Sequence, residues 1–291
     1  MVGSVRQLPL RSIQGVDYRI ITGLSADTDW EAALEGADAV VHCAARVHIM
    51  GEKSLRMMSA YTDTNVDATT HLARQALRAG VRRFIFVSSV KVNGERTRAG
   101  QRFSESDLAS PHDAYARSKL EAEKALFEIM NRTALEVVVV RPPLIYGPHV
   151  RANFLQLLKI VDRAIPLPLL NVQNSRSLLY ISNFASAIEY CLTKATAAGQ
   201  IFLVSDGQDV STPELIRQLA HALKRPVRLF HFPQPVLSTV AAVLGKSAAL
   251  GRLTDSLQID DGKIRTVLQW RPVYTQTQGF SATAEWYRRA Y

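Results

Sequence analysis

The stretch "RRFIFVSS", residues 82–89, is a short run of aromatic and β-branched residues that ends in two serines. Its length and its apolar centre predict a strand that is buried on both faces of a parallel sheet. Two further runs of this kind are "ADAVVHCAA" at 37–45 and "LEVVVVRPP" at 135–143. The last of them has to end at Pro142, because proline cannot donate to a sheet ladder. The three runs predict buried strands in the first half of the chain.

Helical patterns separate these runs. "TNVDATTHLARQALRAGV", residues 64–81, has apolar residues three and four positions apart and a helix stop at Gly80. "SPHDAYARSKLEAEKAL", residues 110–126, is typical of a charged helix. This alternation of strands and helices predicts an α/β fold with a doubly wound parallel (Rossmann) sheet. Such a sheet binds its ligands at the carboxyl ends of its strands.

The second half of the chain has a different texture. Proline-rich loops follow Ile145, and after them come a strand-helix pattern, "RSLLYISNFASAIEYCL" at 176–192, and a well-capped helix, "STPELIRQLAHAL" at 211–223. We therefore expect a sheet domain made of residues 1–144 and 176–200. Residues 145–175 and 201–291 are expected to form a smaller domain that completes the pocket.

The start of the chain departs from the usual pattern of a dinucleotide-binding sheet. That pattern is a strand, a glycine-rich turn and a helix, whose amides and dipole meet the pyrophosphate. The chain has no GxGxxG or GxxGxxG segment and opens with "MVGSVRQLPLR", which resembles the second strand of such a sheet. We expect an N-terminally truncated sheet without its first strand and glycine turn.

Composition excludes several classes of protein. The chain has 291 residues, of which 47% are hydrophobic, and this is enough for a large core. The formal charge of +9 is scattered rather than clustered, which argues against nucleic-acid binding. No stretch supplies the ~20 apolar residues of a membrane span. Cys43 and Cys191 are too far apart in the chain for a metal-site spacing. We expect a cytoplasmic protein without a metal site.

Three residues form a candidate proton-transfer set. Ser89 ends a predicted strand, and Tyr115 and Lys119 lie four positions apart on the predicted helix, hence on one face. An ammonium close to a phenol favours the phenolate, so Lys119 is predicted to lower the pKa of Tyr115. Ser89 would hold a substrate oxygen at the phenol. The set predicts proton transfer at a carbinol during hydride transfer with a nicotinamide; the alternative is a charged pair on a solvated surface.

Six motifs in order resemble those of the extended short-chain dehydrogenase/reductases, in the nucleotide-sugar branch of the NAD-dependent epimerase/dehydratase family. They are "VVHCAARVH", "FVSSVKVNGE", "YARSKLEAE", "RPPLIYGP", "RSLLYISN" and "DGKIRTVLQWRP". Within the branch, "AARVHIM", "SSVKVNGE" and "RANFLQLLKIVD" resemble bacterial enzymes that act on UDP-linked N-acetylated 6-deoxy sugars. Those enzymes include 4-keto reductases of the UDP-N-acetylquinovosamine type and proteins similar to UDP-glucose 4-epimerases.

The resemblance implies a role for each residue that matches a family motif. It makes the larger domain the dinucleotide-binding domain and the smaller one the substrate-binding domain. The implied catalytic residues are Ser89, Tyr115 and Lys119. The implied cofactor contacts are Cys43, Ala44, Ala45, Asn65, Tyr115, Lys119, Pro142 and Pro143, and the implied contacts to a UDP-sugar are Ser89, Lys91, Asn153, Arg176 and Arg252. An arginine fork suits a diphosphate, although a solvated surface charge is the alternative for each arginine.

Departures from the family pattern narrow the function. Dehydratases of this branch have an acid pair directly after the catalytic hydroxyl, where this chain has Val90 and Lys91. Sugar 4,6-dehydration is therefore not expected. Arg6 lies in "GSVRQ", near the end of the segment that resembles the second strand of such a sheet, where NAD-selective enzymes have an acidic residue. This favours NADP over NAD, and both stay open as cofactors.

Three hypotheses for the function remain. The first is an NAD(P)-dependent reductase that acts at C4 of a UDP-linked N-acetylated 6-deoxy sugar in surface-polysaccharide biosynthesis. The second is a UDP-sugar 4-epimerase with tightly bound NAD. The third is a truncated, catalytically impaired homologue, because the pyrophosphate would lack its glycine turn. Relatives commonly dimerise through the helix that carries the tyrosine, so we expect a homodimer.

Overall fold

The structure, a computed structural model, describes residues 1–9, 12–47, 59–243, 245 and 247–291. Residues 48–50, the end of the motif "AARVHIM", therefore lie outside the described residues. Numbered in chain order, the strands are β1 Val2–Val5, β2 Asp17–Ile20, β3 Ala39–His42, β4 Arg83–Val87, β5 Glu136–Arg141, β6 Leu144–Tyr146, β7 Arg176–Tyr180, β8 Ile201–Leu203 and β9 Asp209–Val210. The α-helices are α1 Glu31–Leu34, α2 Ala68–Arg78, α3 Ala114–Arg132, α4 Ala152–Asp162, α5 Ile181–Thr193, α6 Thr212–Leu223, α7 Gln234–Val243, α8 Ser247–Thr254, α9 Gly262–Val267 and α10 Gln276–Ala290.

The chain forms two compact units. The first contains Met1–Gly94, Asp107–Arg141 and Ile188–Phe202, and the second contains Glu95–Ser106, Pro142–Ala187 and Leu203–Tyr291. These units differ from the predicted boundaries at residues 95–106, 142–144, 176–187 and 201–202. Residues 176–187 belong to the second unit, because β7 pairs with β6 and β9 there. Residues 95–106 also belong to it, because Thr97 and Phe103 donate backbone hydrogen bonds to Ser256 and Gln258.

The first unit contains the predicted sheet. Its strand order is β3-β4-β5-β8, and the pairs β3/β4 and β4/β5 are parallel. Phe84 and Phe86 of β4 pack in one apolar cluster with Leu72 of α2 and Leu126 of α3, so these helices cover one face of the sheet. The prediction of an α/β fold built on a parallel sheet is confirmed.

A separate two-stranded parallel sheet also belongs to the first unit. It consists of β1 and β2, with Val2 paired to Asp17 and Val5 to Ile20. Among the described residues, β1 and β3 each pair with one strand only. In the doubly wound order 3-2-1-4-5-6, the first strand lies between the second and the fourth. Backbone hydrogen bonds between described residues do not join the two sheets.

A buried ion pair fixes α3 against β5. Glu123 of α3 accepts hydrogen bonds from Arg141 Nε at 3.0 Å and Arg141 Nη2 at 2.5 Å. The third nitrogen, Arg141 Nη1, donates to Asn93 Oδ1 at 3.1 Å. All three residues are buried. Because the guanidinium and the carboxylate satisfy each other in a bidentate pair, the charges tolerate burial.

The second unit has its own sheet and core. Its strand order is β6-β7-β9, with β6 and β7 parallel and β7 and β9 antiparallel. Buried Asp206 is the main polar group here: it accepts hydrogen bonds from Tyr146 Oη, Tyr180 N and Asn183 Nδ2 at 3.0, 2.9 and 2.8 Å. In the described part of the chain, no helix is long and apolar enough to cross a bilayer.

His42, at the end of β3, is a buried and neutral histidine. Its Nε2 atom lies 3.0 Å from Thr69 Oγ1, and its ring stacks on Phe86 with the centroids 6.0 Å apart. Burial, together with the positive charge of Lys119, lowers the pKa of His42 to about 3. The folded chain therefore excludes a proton that the unfolded chain binds below its ordinary pKa of 6.5.

Replacing Arg141 with Met should destabilise the protein by about 3 to 5 kcal/mol, because the substitution leaves Glu123 charged and buried without its partner. Urea unfolding followed by circular dichroism measures this loss. Arg19→Met is the matched control: Arg19 pairs with Asp17 at the surface, with side chains 39% and 59% exposed, and we expect a loss of at most about 1 kcal/mol. Equal losses in the two variants would contradict the account of the buried pair.

His42 should make the fold acid-sensitive. Both states are neutral at His42 above pH 6.5, and below it only the unfolded chain gains the proton, until the folded pKa of about 3 is reached. The contribution of His42 to the free energy of unfolding is therefore fully present above pH 6.5. It is lost as the pH falls, by about 2 kcal/mol between pH 7 and pH 5. His42→Gln should lose this part of the pH dependence in urea unfolding. Exposed His112→Gln should keep it, and a His42→Gln profile parallel to the wild type would refute the assignment.

Candidate functional site

The candidate site lies in the first unit, where β4 ends. The strand ends at Val87, and Ser89 begins the 3-10 turn Val90–Val92. Ser89 Oγ accepts a hydrogen bond from Lys91 N at 3.2 Å and caps this turn. The side chain is partly exposed. Ser89 therefore stands at the carboxyl end of a central strand, where this architecture binds ligands.

Lys119 is held against the same strand end. Its side chain is almost completely buried, with 1% of the residue exposed. Lys119 Nζ donates to the carbonyl oxygen of Val87 at 2.8 Å and lies 4.3 Å from the centroid of the Phe86 ring. Burial lowers the pKa of Lys119 to about 8, although Cys43 and Glu123 act in the opposite direction. The ammonium is thus a buried charge attached to the strand that carries Ser89.

Tyr115 lies one turn earlier on α3 and is partly buried. Its ring packs edge-to-face on Tyr61, with the centroids 6.4 Å apart. Burial, and then the neighbouring Asp113 and Tyr61, raises the pKa of Tyr115 to about 12. The predicted lowering of this pKa by Lys119 is thus not found: burial raises the pKa, and Asp113 and Tyr61 act in the same direction. The phenol is accordingly protonated at neutral pH.

Asn65 connects the loop after β3 to α3. Its Oδ1 accepts from Arg46 N at 2.8 Å, and its Nδ2 donates to Arg46 O at 3.1 Å and to Ser118 Oγ at 3.0 Å. Ser118 Oγ in turn donates to Tyr115 O at 2.8 Å. The amide therefore ties the predicted cofactor loop to the helix of the tyrosine.

The other predicted cofactor residues lie at strand ends. Cys43 and Ala44 are exposed and Ala45 is partly buried, directly after β3. The thiol of Cys43 and the ammonium of Lys119 interact electrostatically, so the two groups lie close together. Exposed Arg6 follows β1. Pro142 and Pro143 are buried, directly follow β5 and belong to the second unit.

The predicted sugar-nucleotide contacts fall in two places. Lys91 lies in the first unit, where its Nζ pairs with Asp113 Oδ2 at 2.6 Å. Asn153, Arg176 and Arg252 lie in the second unit. Arg176 Nη1 donates to Asp255 O at 2.9 Å, and burial lowers its pKa. Asn153 in the first turn of α4 and Arg252 in α8 are exposed.

The sequence interpretation missed three polar residues around the set: Asp113, Glu123 and Arg141. Asp113 had a local signal, because an aspartate directly before a helical pattern is typical of an N-cap. Its Oδ1 accepts from Ala116 N at 2.7 Å. Glu123 and Arg141 had no such signal, since the two partners come from different elements.

One polar atom at the strand end lacks a partner. Ser88 Oγ is buried and has no hydrogen-bond partner among the described residues. A buried unsatisfied hydroxyl fits a site that a bound molecule or a water completes. The part of the site that contains Ser88, Ser89, Tyr115 and Lys119 thus fits the nicotinamide end of the coenzyme. For its pyrophosphate, the described residues offer no glycine-rich turn that leads into a helix.

Comparison with known proteins identifies the family. The profile of the NAD dependent epimerase/dehydratase family matches residues 10–205. The chain is 43% identical over 268 residues to a UDP-glucose 4-epimerase of Vibrio cholerae, covering 92% of this chain and 82% of the relative. It is 29% identical to a dTDP-D-glucose 4,6-dehydratase of Mus musculus, covering 94% of this chain and 75% of the relative.

Solved structures share the fold. MoeE5, in complex with UDP-glucuronic acid and NAD, superimposes with a TM-score of 0.78 at 22% identity, over 100% of this chain and 91% of that chain. A UDP-glucuronic acid 4-epimerase from Bacillus cereus in complex with NAD gives a TM-score of 0.74 at 20% identity, over 94% and 82%. The family profile and the 43% identity to the Vibrio relative show that the chain belongs to the NAD-dependent epimerase/dehydratase family.

Proposed function

We propose that this protein is an NAD(P)-dependent oxidoreductase that acts at C4 of a UDP-linked sugar. The observation that carries the proposal is the joint placement of Ser89 and the buried Lys119 at the end of β4, with a protonated Tyr115 on the same helix as the lysine. The preferred reaction is reduction of a 4-keto sugar, and the preferred substrate is an N-acetylated 6-deoxy sugar nucleotide of surface-polysaccharide biosynthesis.

A protonated Tyr115 can serve as the acid that the reductive direction needs. When NAD(P)H is bound, it supplies the hydride for the carbonyl carbon. Tyr115, with its pKa of about 12, holds the proton that the carbonyl oxygen needs. Ser89 Oγ is a hydroxyl that can donate a hydrogen bond to the same oxygen. An oxidation would instead need the phenolate at the start.

Lys119 serves to bind and to stabilise charge. An ammonium has three N–H donors, and Val87 O accepts one of them. The other two are suited to hydroxyl groups of a coenzyme ribose. The positive charge of Lys119 would also favour a phenolate at Tyr115 once the phenol has donated its proton. Cys43, Ala44, Ala45, Pro142 and Pro143 remain proposed coenzyme contacts, and Arg6 remains a proposed contact for a 2′-phosphate.

Two features argue against dehydration, although a dehydratase is among the relatives. Val90 is buried and apolar, and the Lys91 ammonium is paired with Asp113. Neither can protonate a leaving hydroxyl or take a proton from carbon in the way that a carboxyl group does. Asn153, Arg176 and Arg252 of the second unit remain proposed contacts for the sugar and its diphosphate, and a homodimer remains the proposed assembly.

A 4-epimerase is the second candidate. The observation that favours it is the 43% identity to the Vibrio protein, which is a UDP-glucose 4-epimerase. The same residues would serve it, since oxidation and re-reduction at C4 use one proton-transfer set in both directions. The two functions differ in the coenzyme: an epimerase keeps its coenzyme bound, whereas a reductase consumes NAD(P)H.

Tyr115→Phe should lower turnover of a UDP-4-keto-6-deoxy-N-acetylhexosamine with NADPH by roughly 10²–10⁴-fold, because the phenylalanine has no proton to give. The oxidation of NADPH, followed at its absorbance maximum, measures the rate. Calorimetric binding of UDP should stay unchanged, and Tyr190→Phe, in the same unit, should keep full activity. A Tyr115→Phe variant with wild-type turnover would remove this residue from the mechanism.

Incubation with UDP-glucose and no added coenzyme separates the two candidate functions. The reductase proposal predicts that no UDP-galactose forms, because the enzyme carries no permanent oxidant. Steady formation of UDP-galactose, followed by anion-exchange chromatography, would instead establish the epimerase. A titration of NADPH by nicotinamide fluorescence completes the experiment: if no binding occurs at millimolar coenzyme, the chain is an impaired homologue and both proposals fail.

A further inference from the structure

An ion pair joins the two structural elements that carry Ser89 and Tyr115. Lys91, in the turn directly after Ser89, pairs through Nζ with Asp113 Oδ2 at 2.6 Å. Asp113 is the N-cap residue of α3, two residues before Tyr115. Its second oxygen, Oδ1, accepts from Ala116 N at 2.7 Å. The carboxylate is therefore held in one orientation at the first turn of the tyrosine helix.

Few charged or titratable groups act on the phenol of Tyr115. Burial acts most strongly, and then come Asp113 from its own helix and Tyr61 from the segment packed against it. The ammonium of Lys119 donates to the carbonyl oxygen of Val87. Asp113 is thus the anion that acts on the phenol, and Lys91 is the cation that contacts Asp113.

We propose that the Lys91–Asp113 ion pair controls the electrostatic environment of the Tyr115 phenol. Besides burial, the carboxylate of Asp113 favours the protonated phenol, and the ammonium of Lys91 limits this effect by partly neutralising the carboxylate. Both are positioning residues, since they act through Tyr115. The inference deepens the proposed function, on which its catalytic meaning rests, and it gives Lys91 a task other than contact with the sugar.

Two further contacts hold the turn after Ser89 in place, so the charge of Lys91 can be removed without releasing the turn. Asn93, directly after the turn, accepts a hydrogen bond from Arg141 Nη1 at 3.1 Å, and Arg141 is in turn paired with Glu123 of α3. Val92 O also accepts from Ser110 N at 2.9 Å. Removal of the Lys91 ammonium therefore changes the electrostatics at Tyr115 while these two contacts persist.

The test measures the ionisation of Tyr115 directly in the full chain. All tyrosines are replaced with 3-fluorotyrosine, whose more acidic phenol titrates in a range that the fold withstands, and fluorine NMR follows each ring. Tyr115→Phe assigns the signal. Asp113→Asn should increase the acid dissociation constant of residue 115 by roughly two- to fivefold, because the amide still caps α3 but carries no charge. Lys91→Met should decrease it by a similar factor.

The double variant and a control make the result specific. In Lys91→Met combined with Asp113→Asn, the additional change caused by Lys91→Met should be smaller than the change it causes in the wild type, because part of the effect of Lys91 passes through the carboxylate. Arg117→Met removes an exposed cation from the same helix and should change the constant less than Lys91→Met does. An unchanged constant in Asp113→Asn, or an Arg117→Met effect as large as that of Lys91→Met, would overturn the proposal.

This titration needs neither coenzyme nor turnover, so it separates the two levels of inference. If the shifts occur and no substrate is turned over, the proposed function fails and the ion pair stands. If the protein is active, the pH profile of kcat should move in the same direction as the titration in each variant. Activity without these shifts would overturn the role of the ion pair and leave the proposed function intact.

Discussion

The hydrogen bond from Lys119 Nζ to the carbonyl oxygen of Val87 is the contact on which the site depends. It draws a charged side chain into the interior, where burial makes an ammonium costly, and the strand-end carbonyl and the Phe86 ring offset part of that cost. The contact also ties α3 to the end of β4, and Tyr115 lies one turn away on the same helix.

The sequence predicted the strands and helices of the first unit well because their signals are local. The runs at 82–89 and 135–143 contain β4 and β5, and β5 ends one residue before Pro142, as the chemistry of proline requires. The tyrosine helix was placed correctly in the chain, although its first residue is Ala114 rather than 110, because Asp113 takes the capping position. In these cases a neighbouring residue decides the outcome.

The remaining features depend on contacts between distant parts of the chain. Glu123 and Arg141 come from different elements, so the sequence around one does not identify the other as its partner. The spacing of Tyr115 and Lys119 shows that they share a helix face, but it does not show how deeply that face is buried. Burial then reversed the predicted direction of the tyrosine pKa. The predicted domain boundaries differ from the observed units for the same reason. The sequence of β7 resembles one more strand of the large sheet, but the partners of β7 are β6 and β9.

The division of the chain into interleaved segments limits how this protein can be dissected. Each unit is assembled from three separate stretches, so any continuous fragment that contains one unit complete also carries parts of the other. A single cut in the gene therefore cannot give two products that each contain one complete unit. A shortened version that keeps only the tyrosine helix and its strands would lack Ile188–Phe202, where the backbone carbonyls of Cys191, Leu192 and Lys194 accept hydrogen bonds from Arg83.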